Sequence, residues 1–275
     1  MPVNSSVVLA DETAAPSRSA RPVHAVRFAP DFEFVPRRLA YRRAAGVPQL
    51  KDDELLLWRF RPEWQSIPKD AAYACLSKAE LARVRSHPNP ALAKRFVVGR
   101  AVMREILADM IGCVPGEVEL KDDEDGQPRL VHAGVCEPIE IAIAYAGIWI
   151  VVGVSSNPLG LATSVPTLPD NALGGASSES VLTGRMPSLR PVETRSVVRH
   201  ASLASAAGAA VLSVDAPVLR HDASPFFVDT AGPRRWQILD LPMPGIICAA
   251  AAVARPVTRV HAFGWVGRDG RAVAS

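Results

Sequence analysis

The sequence has few cysteines, and none is spaced to hold a metal. Cys75, Cys113, Cys136 and Cys248 are scattered through 275 residues without a C-x-x-C pair. That argues against a zinc site, and nothing suggests an oxidising compartment. A strong charge of one sign is also missing. The net charge is +3, too mild to mark a nucleic-acid partner without a clustered basic face, and no RNP-like, finger or basic-zipper pattern occurs. Long apolar runs are absent too. The most apolar windows, 141–154 and 246–254, fall short of the ~20 residues a spanning helix needs. The first residues, Met-Pro-Val-Asn-Ser-Ser-Val-Val-Leu-Ala, lack the basic start and apolar stretch of a signal peptide. A cytoplasmic protein without membrane or nucleic-acid partners is the expectation. Hydrophobic residues make up 48% of the chain, ample for a buried core in one large domain or two small ones.

Residues 1–50 are dominated by Ser, Ala, Pro and Arg and read as a partly mobile N-terminal extension. Its Arg21, Arg37, Arg38, Arg42 and Arg43 would suit docking on an acidic partner. A first ordered unit spans 51–164. It opens with a strand at 55–60, Leu-Leu-Leu-Trp-Arg-Phe. Ser77 and Glu80 stand at capping-box spacing, with Leu81 and Val84 as the apolar side of the helix that follows. The surest helix starts at Asn89-Pro90 and stops at Gly112, with Phe96, Met103, Leu107 and Met110 as its core stripe. Arg95, Arg100 and Arg104 lie beside that stripe. Two readings compete for them: stems over the core with heads in water, or capture of an anionic group by the planar guanidinium.

A short strand at 118–120 is expected next. The acidic run 122–126 reads as a solvated turn, because it lacks the later ligands of a calcium loop. Runs 139–145 and 148–154, split by Ala146-Gly147, predict a hairpin, and 159–163 a third strand beside it. Residues 165–192, rich in Gly, Ser, Pro and Leu, read as a connector loop. The last unit, 193–275, carries a helix at 197–207 stopped by Gly208, then strands at 226–228, 236–239, 246–253 and 257–262. A helix followed by strands thus occurs twice.

Five pieces in this order resemble the 4'-phosphopantetheinyl transferase superfamily, in its larger surfactin-synthetase-activating form. They are Leu-Leu-Trp-Arg-Phe (56–60), Leu-Ser-Lys-Ala-Glu (76–80), Lys-Arg-Phe-Val-Val-Gly-Arg-Ala-Val-Met-Arg (94–104), Gly-Gln-Pro-Arg-Leu (126–130) and Gly-Ile-Trp-Ile-Val-Val-Gly-Val-Ser (147–155). The run 245–254 is similar to the family's closing strand. The resemblance implies an α+β pseudo-dimer within one chain: two α/β halves, each with a small antiparallel sheet and a long helix. It also implies a monomer, an acyl or peptidyl carrier protein as partner, and coenzyme A or an acyl-pantetheine species as ligand.

Members move the phosphopantetheine arm of coenzyme A onto a carrier serine with Mg²⁺ offsetting the diphosphate charge. The family's Gly-Lys-Pro turn matches Gly126-Gln127-Pro128, and its Ser-His-Ser strand end matches Ala144-Tyr145-Ala146. The positions of its three metal carboxylates match Ala162, Ser164 and Ala201, and the catalytic lysines match Ser205 and His200. Mg²⁺ is therefore not expected, since Ala and Ser bring no charge. Arg95 and Arg100 match retained arginines, so Arg95, Arg100 and Gln127 are the candidate coenzyme-binding residues. Tyr145 and His200 are the candidate catalytic residues; their plain alternatives are a core strand tyrosine and a surface or cap histidine. Cys248, inside an apolar run, reads as an inert thiol.

Three functions follow from the resemblance. The first is a transferase-like protein that has lost pantetheinyl transfer but still binds carrier-protein or acyl-pantetheine species in polyketide, fatty-acid or peptide biosynthesis. The second is a repurposed enzyme acting on a carrier-bound thioester by cyclisation or hydrolysis. The third is a working transferase whose metal ligands have moved to Asp170, Glu179 or Glu193.

Overall fold

In chain order the elements are β1 (Arg27–Phe28), β2 (Glu33–Arg37), β3 (Glu54–Phe60), α1 (Lys69–Ala74), α2 (Lys78–Ser86) and α3 (Pro90–Ile111). Then come β4 (Leu120–Asp122), β5 (Pro128–Leu130), β6 (Glu140–Ala146), β7 (Trp149–Ser155), β8 (Leu159–Ser164) and α4 (Pro191–Ala207). The last are β9 (Phe226–Asp229), β10 (Arg235–Asp240), β11 (Cys248–Val253) and β12 (Arg259–Phe263). This computed structural model describes residues 27–28, 31–124, 126–131, 138–166, 191–208, 219, 224–230 and 233–267. Most of the expected connector, with Asp170 and Glu179, lies outside the described residues, as do Arg21 and Cys136.

The fold is α+β. One five-stranded sheet runs β2-β12-β3-β7-β6, a second runs β1-β9-β10-β11-β8, and β4 and β5 form a separate pair. Strand β12 lies parallel to both β2 and β3. The hairpin is present, with Ala146 opposite Trp149 across Gly147-Ile148. Strands β1 and β2 both fall within the 1–50 segment read as an extension, and each is bonded to a strand from the far end of the chain.

Strand β8 departs from expectation. It does not extend the hairpin but pairs antiparallel with β11, Leu161 opposite Ala251. Its alternation explains the choice. Leu159 and Leu161 enter the core between the sheets, alongside Leu55, Leu57 and Val151 from one and Leu239 and Ala251 from the other. Gly160 points the opposite way, onto α4. A Cβ there would fall on the carbonyl oxygen of Ser202 and 2.7 Å from the Ala206 nitrogen. A glycine is what lets strand and helix backbones come this close.

The other face of the first sheet holds α3. Leu56, Trp58, Phe60 and Ile143 pack there against Val102, Met103 and Ile106. The helix has the ends its sequence predicts. Asn89 Oδ1 accepts from the backbone of Ala91 at 2.9 Å, and Gly112 closes it at φ 76°. Ser77 and Glu80 form the reciprocal capping box of α2. Glu80 does more than cap. It is 4% exposed and binds Arg104 through both carboxylate oxygens, at 3.2 and 2.7 Å. Its Oε1 also lies 3.6 Å from Arg100 Nη1. Arg100 and Arg104 therefore do not hold their heads in water as a helix-surface reading suggests; they are 1% and 2% exposed.

Candidate active site

Four of the residues singled out from sequence meet on the α3 side of β6. Tyr145 projects from β6 onto α3 at Gly99, where an added Cβ would meet its hydroxyl at 2.9 Å. The Arg95 guanidinium sits 5.0 Å from the Tyr145 ring centroid and donates through Nη1 to the Gly147 carbonyl at the hairpin tip. Arg100, one turn further along α3, binds Asp122 at 2.7 Å and reaches the Gly126 carbonyl at 3.4 Å. Gln127 seals the turn beside it. Its backbone N–H donates to Asp123 Oδ1 at 2.8 Å, and its Oε1 accepts from the Ile143 N–H at 3.5 Å.

Burial, guanidinium groups and the carboxylates of Glu80 and Asp122 set the electrostatics of this cluster. Burial pushes the Tyr145 phenol up to about 12, although Arg100, Arg95 and Arg83 all pull it down. It stays protonated at neutral pH and acts as a donor, not a base. Its hydroxyl is buried with no hydrogen-bond partner among the described residues, and so are Nε and Nη1 of Arg100. Buried donors without a hydrogen bond are unfavourable, although Nη1 of Arg100 keeps the charge of Glu80 at 3.6 Å. Arg95 is eased below the usual arginine range, chiefly by burial. Arg83, missed from sequence, completes the group. It lies over the Phe96 ring at 4.9 Å and 3.4 Å from Asp122. Asp122 and Glu80, the acids that hold Arg100, were read only as a turn and a cap.

Strand β8 borders the cluster through Thr163, whose hydroxyl donates to the Tyr145 carbonyl at 2.8 Å. Alternation puts Ala162 and Ser164 on the Gly160 side, facing α4. On α4, Ala201 is exposed and His200 half-buried. No hydrogen bond or ion pair joins His200 to the Tyr145 cluster among the described residues. Laterally, Ala162 pairs with Ala250 and Ala250 with Asp240, so Asp240 shares the same face. Asp240 is engaged by Arg199, which is fully buried and grips it through Nε at 2.8 Å and through Nη2. Mg²⁺ takes hard oxygen ligands, mostly carboxylate. The positions that the resemblance gives to metal ligands do not suit it: Ala162 and Ala201 offer no donor and Ser164 a hydroxyl, while Asp240, on the face of Ala162, is paired. Among the described residues no three His, Cys, Asp or Glu side chains cluster. Cys248, opposite Ser164, is half-buried, and burial raises its thiol.

No protein-family profile matches the chain. Over 84 residues, 30% of this chain, it is 39% identical to the 4'-phosphopantetheinyl transferase HetI of Nostoc sp.. The match spans about a third of that protein's length, 34%. It supports a relationship to the phosphopantetheinyl transferases over that stretch. None of the helices among the described residues is long and apolar enough to cross a membrane.

Proposed function

We propose that the chain is a phosphopantetheinyl transferase-like pseudo-dimer that binds coenzyme A or an acyl-pantetheine species and a carrier protein, but does not carry out Mg²⁺-dependent pantetheinyl transfer. Its halves would be residues 51–164 and 193–275, acting as a cytoplasmic monomer. Each half offers a long helix followed by antiparallel strands, α3 then β6-β7 in the first and α4 then β9-β10-β11 in the second, with β8 of the first half added at the edge of the second sheet, and this repeat supports the pseudo-dimer.

One observation carries the functional reading. Beside Arg95, the Tyr145 hydroxyl and Arg100 Nε are buried donors with no hydrogen-bond partner among the described residues, while Ala162, Ser164 and Ala201 stand where the resemblance places metal carboxylates. In this reading Arg95 and Arg100 hold a phosphate, Gln127 shapes the turn beside it, and Tyr145 donates a hydrogen bond. Phosphoryl transfer depends on positioning and on offsetting developing charge. The first remains and the second has lost its metal seat. Incubating apo carrier protein with the chain, coenzyme A and Mg²⁺ should leave the carrier's mass unchanged. A gain of one phosphopantetheine at the rate of an ordinary transferase would overturn the proposal.

A second reading, a repurposed enzyme on a carrier-bound thioester, draws on the unpartnered Tyr145 hydroxyl. A donor at that place suits stabilisation of a carbonyl oxygen as charge builds on it. His200 would then be the acid or base, although its place on α4 gives it no link to Tyr145.

A further inference from the structure

Strand β3 carries arginines on its second face. Trp58 and Phe60 point to α3, so Arg59 falls with Leu55 and Leu57 on the face toward the other sheet. Arg61 follows at the same parity, just past the strand end. Arg59 is fully buried, lies 5.0 Å from the Trp149 ring centroid and 4.7 Å from that of Trp265, and donates to the carbonyls of Pro242 and Gly264. Arg61 stacks over Trp149 at 4.2 Å and near Trp64 at 5.5 Å. Trp64 meets Trp149 edge-on at 5.3 Å and is 45% exposed.

A cavity of about 640 Å³ opens in front of this group. Arg61, Trp64, Trp149 and Tyr41 wall it, with Arg38 on the exposed rim. No acidic side chain is among the described residues that line it. The volume is that of a small-molecule site, and the mix of apolar walls with a few convergent polar groups is what such sites have. The Nε atoms of Arg59 and Arg61 are both buried with no hydrogen-bond partner among the described residues. Burial and the neighbouring Arg61 charge bring Arg59 down to about 10. Positive charge is thus concentrated here with no acidic side chain among the described lining residues, and a flat aromatic surface stands beside it.

We infer that this cavity is a binding site for a small organic anion, a carboxylate or phosphate on a flat apolar body, with Arg61 and Arg38 taking the oxyanion and Trp64, Trp149 and Tyr41 the body. It is separate from the Tyr145 cluster. Tyr145 packs on the α3 face of the first sheet and Trp149 on the opposite face. The inference does not rest on the transferase reading.

Calorimetric titration of the full chain tests it with naphthyl phosphate, naphthoate and the neutral naphthalenemethanol. Both anions should bind saturably, and the neutral compound at least about tenfold more weakly, the difference one good charged contact makes. Whichever anion binds more tightly identifies the headgroup. Arg61→Met should weaken both anions about tenfold and leave the neutral compound unchanged. Arg38→Met, on the rim, should weaken them several-fold and carries the test if the first variant does not fold. Arg95→Met should leave naphthyl phosphate binding intact while weakening coenzyme A, so the two sites fail or succeed independently. Equal binding of the neutral compound, wild-type anion affinity in folded arginine variants, or no saturable binding of either anion would overturn the inference.

Discussion

Replacing Glu80 by alanine is expected to destabilise the protein by about 3–5 kcal/mol, the range for removing one partner of a buried ion pair. The size follows from what is left behind. Among the described residues Arg104, 2% exposed, would keep the Val118 carbonyl at 3.3 Å alone, and Arg100 would keep Asp122. The Ser77 backbone N–H would also lose its acceptor. Adding Arg104→Met should recover much of the loss, because most of it is an uncompensated buried charge. Simple additivity in denaturant unfolding would refute the pairing.

The same carboxylate makes stability depend on pH. Burial alone would raise Glu80, but the Arg104 hydrogen bond, the Ser77 N–H and the charges of Arg104 and Arg100 outweigh it and hold it below its ordinary range. The stabilisation is complete above the unfolded value, about 4.3 for Glu, and is lost as pH falls through the lower folded value. The Glu80→Ala variant should therefore lose less stability than wild type on acidification below about pH 4.

Gly160→Val should be as severe, about 3 kcal/mol or more. The atoms it would strike are backbone: the Ser202 carbonyl oxygen and the Ala206 nitrogen. Neither can rotate away, so α4 must lift from β8 and open the face that carries Ala162 and Ser164. Gly153→Ala is the control. Its Cβ would meet the methyl ends of Leu159 and Leu161 at 2.9 and 3.1 Å, which can yield, and the loss should stay near about 1 kcal/mol. Equal losses for the two in denaturant titrations would contradict this account of the packing.

Local grammar carried much of the fold. Asn89, Pro90 and Gly112 marked α3 to the residue because caps act on the nearest backbone groups. The hairpin between β6 and β7 was legible for the same reason, with its turn one residue later than Ala146-Gly147, at Gly147-Ile148. Partner choice was not. The alternation of Leu159, Gly160 and Leu161 announces a strand, but only the space left by Gly160 against α4 and the fit of the leucines between two sheets send β8 to β11. Likewise β2, with Pro36 inside it, reads as irregular until β12 supplies a parallel neighbour. At the candidate site, Arg95, Arg100, Gln127 and Tyr145 were found from sequence and meet in space. Glu80 and Asp122, which set the charge around Arg100, were hidden because they come from other elements. Arg59 sat inside an ordinary strand signal and Arg61 just past it, and their meeting with Trp149 depends on residues far along the chain.

The central claim is that the Arg95–Arg100–Tyr145 cluster holds a pantetheine phosphate without a metal. Calorimetric titration of coenzyme A, run once with Mg²⁺ and once with a chelator, tests it most directly. The account predicts saturable binding with the same Kd in both, weakened about tenfold by Arg95→Met, the loss expected for one charged contact. Binding that appears only with Mg²⁺, or that ignores Arg95→Met, would contradict it.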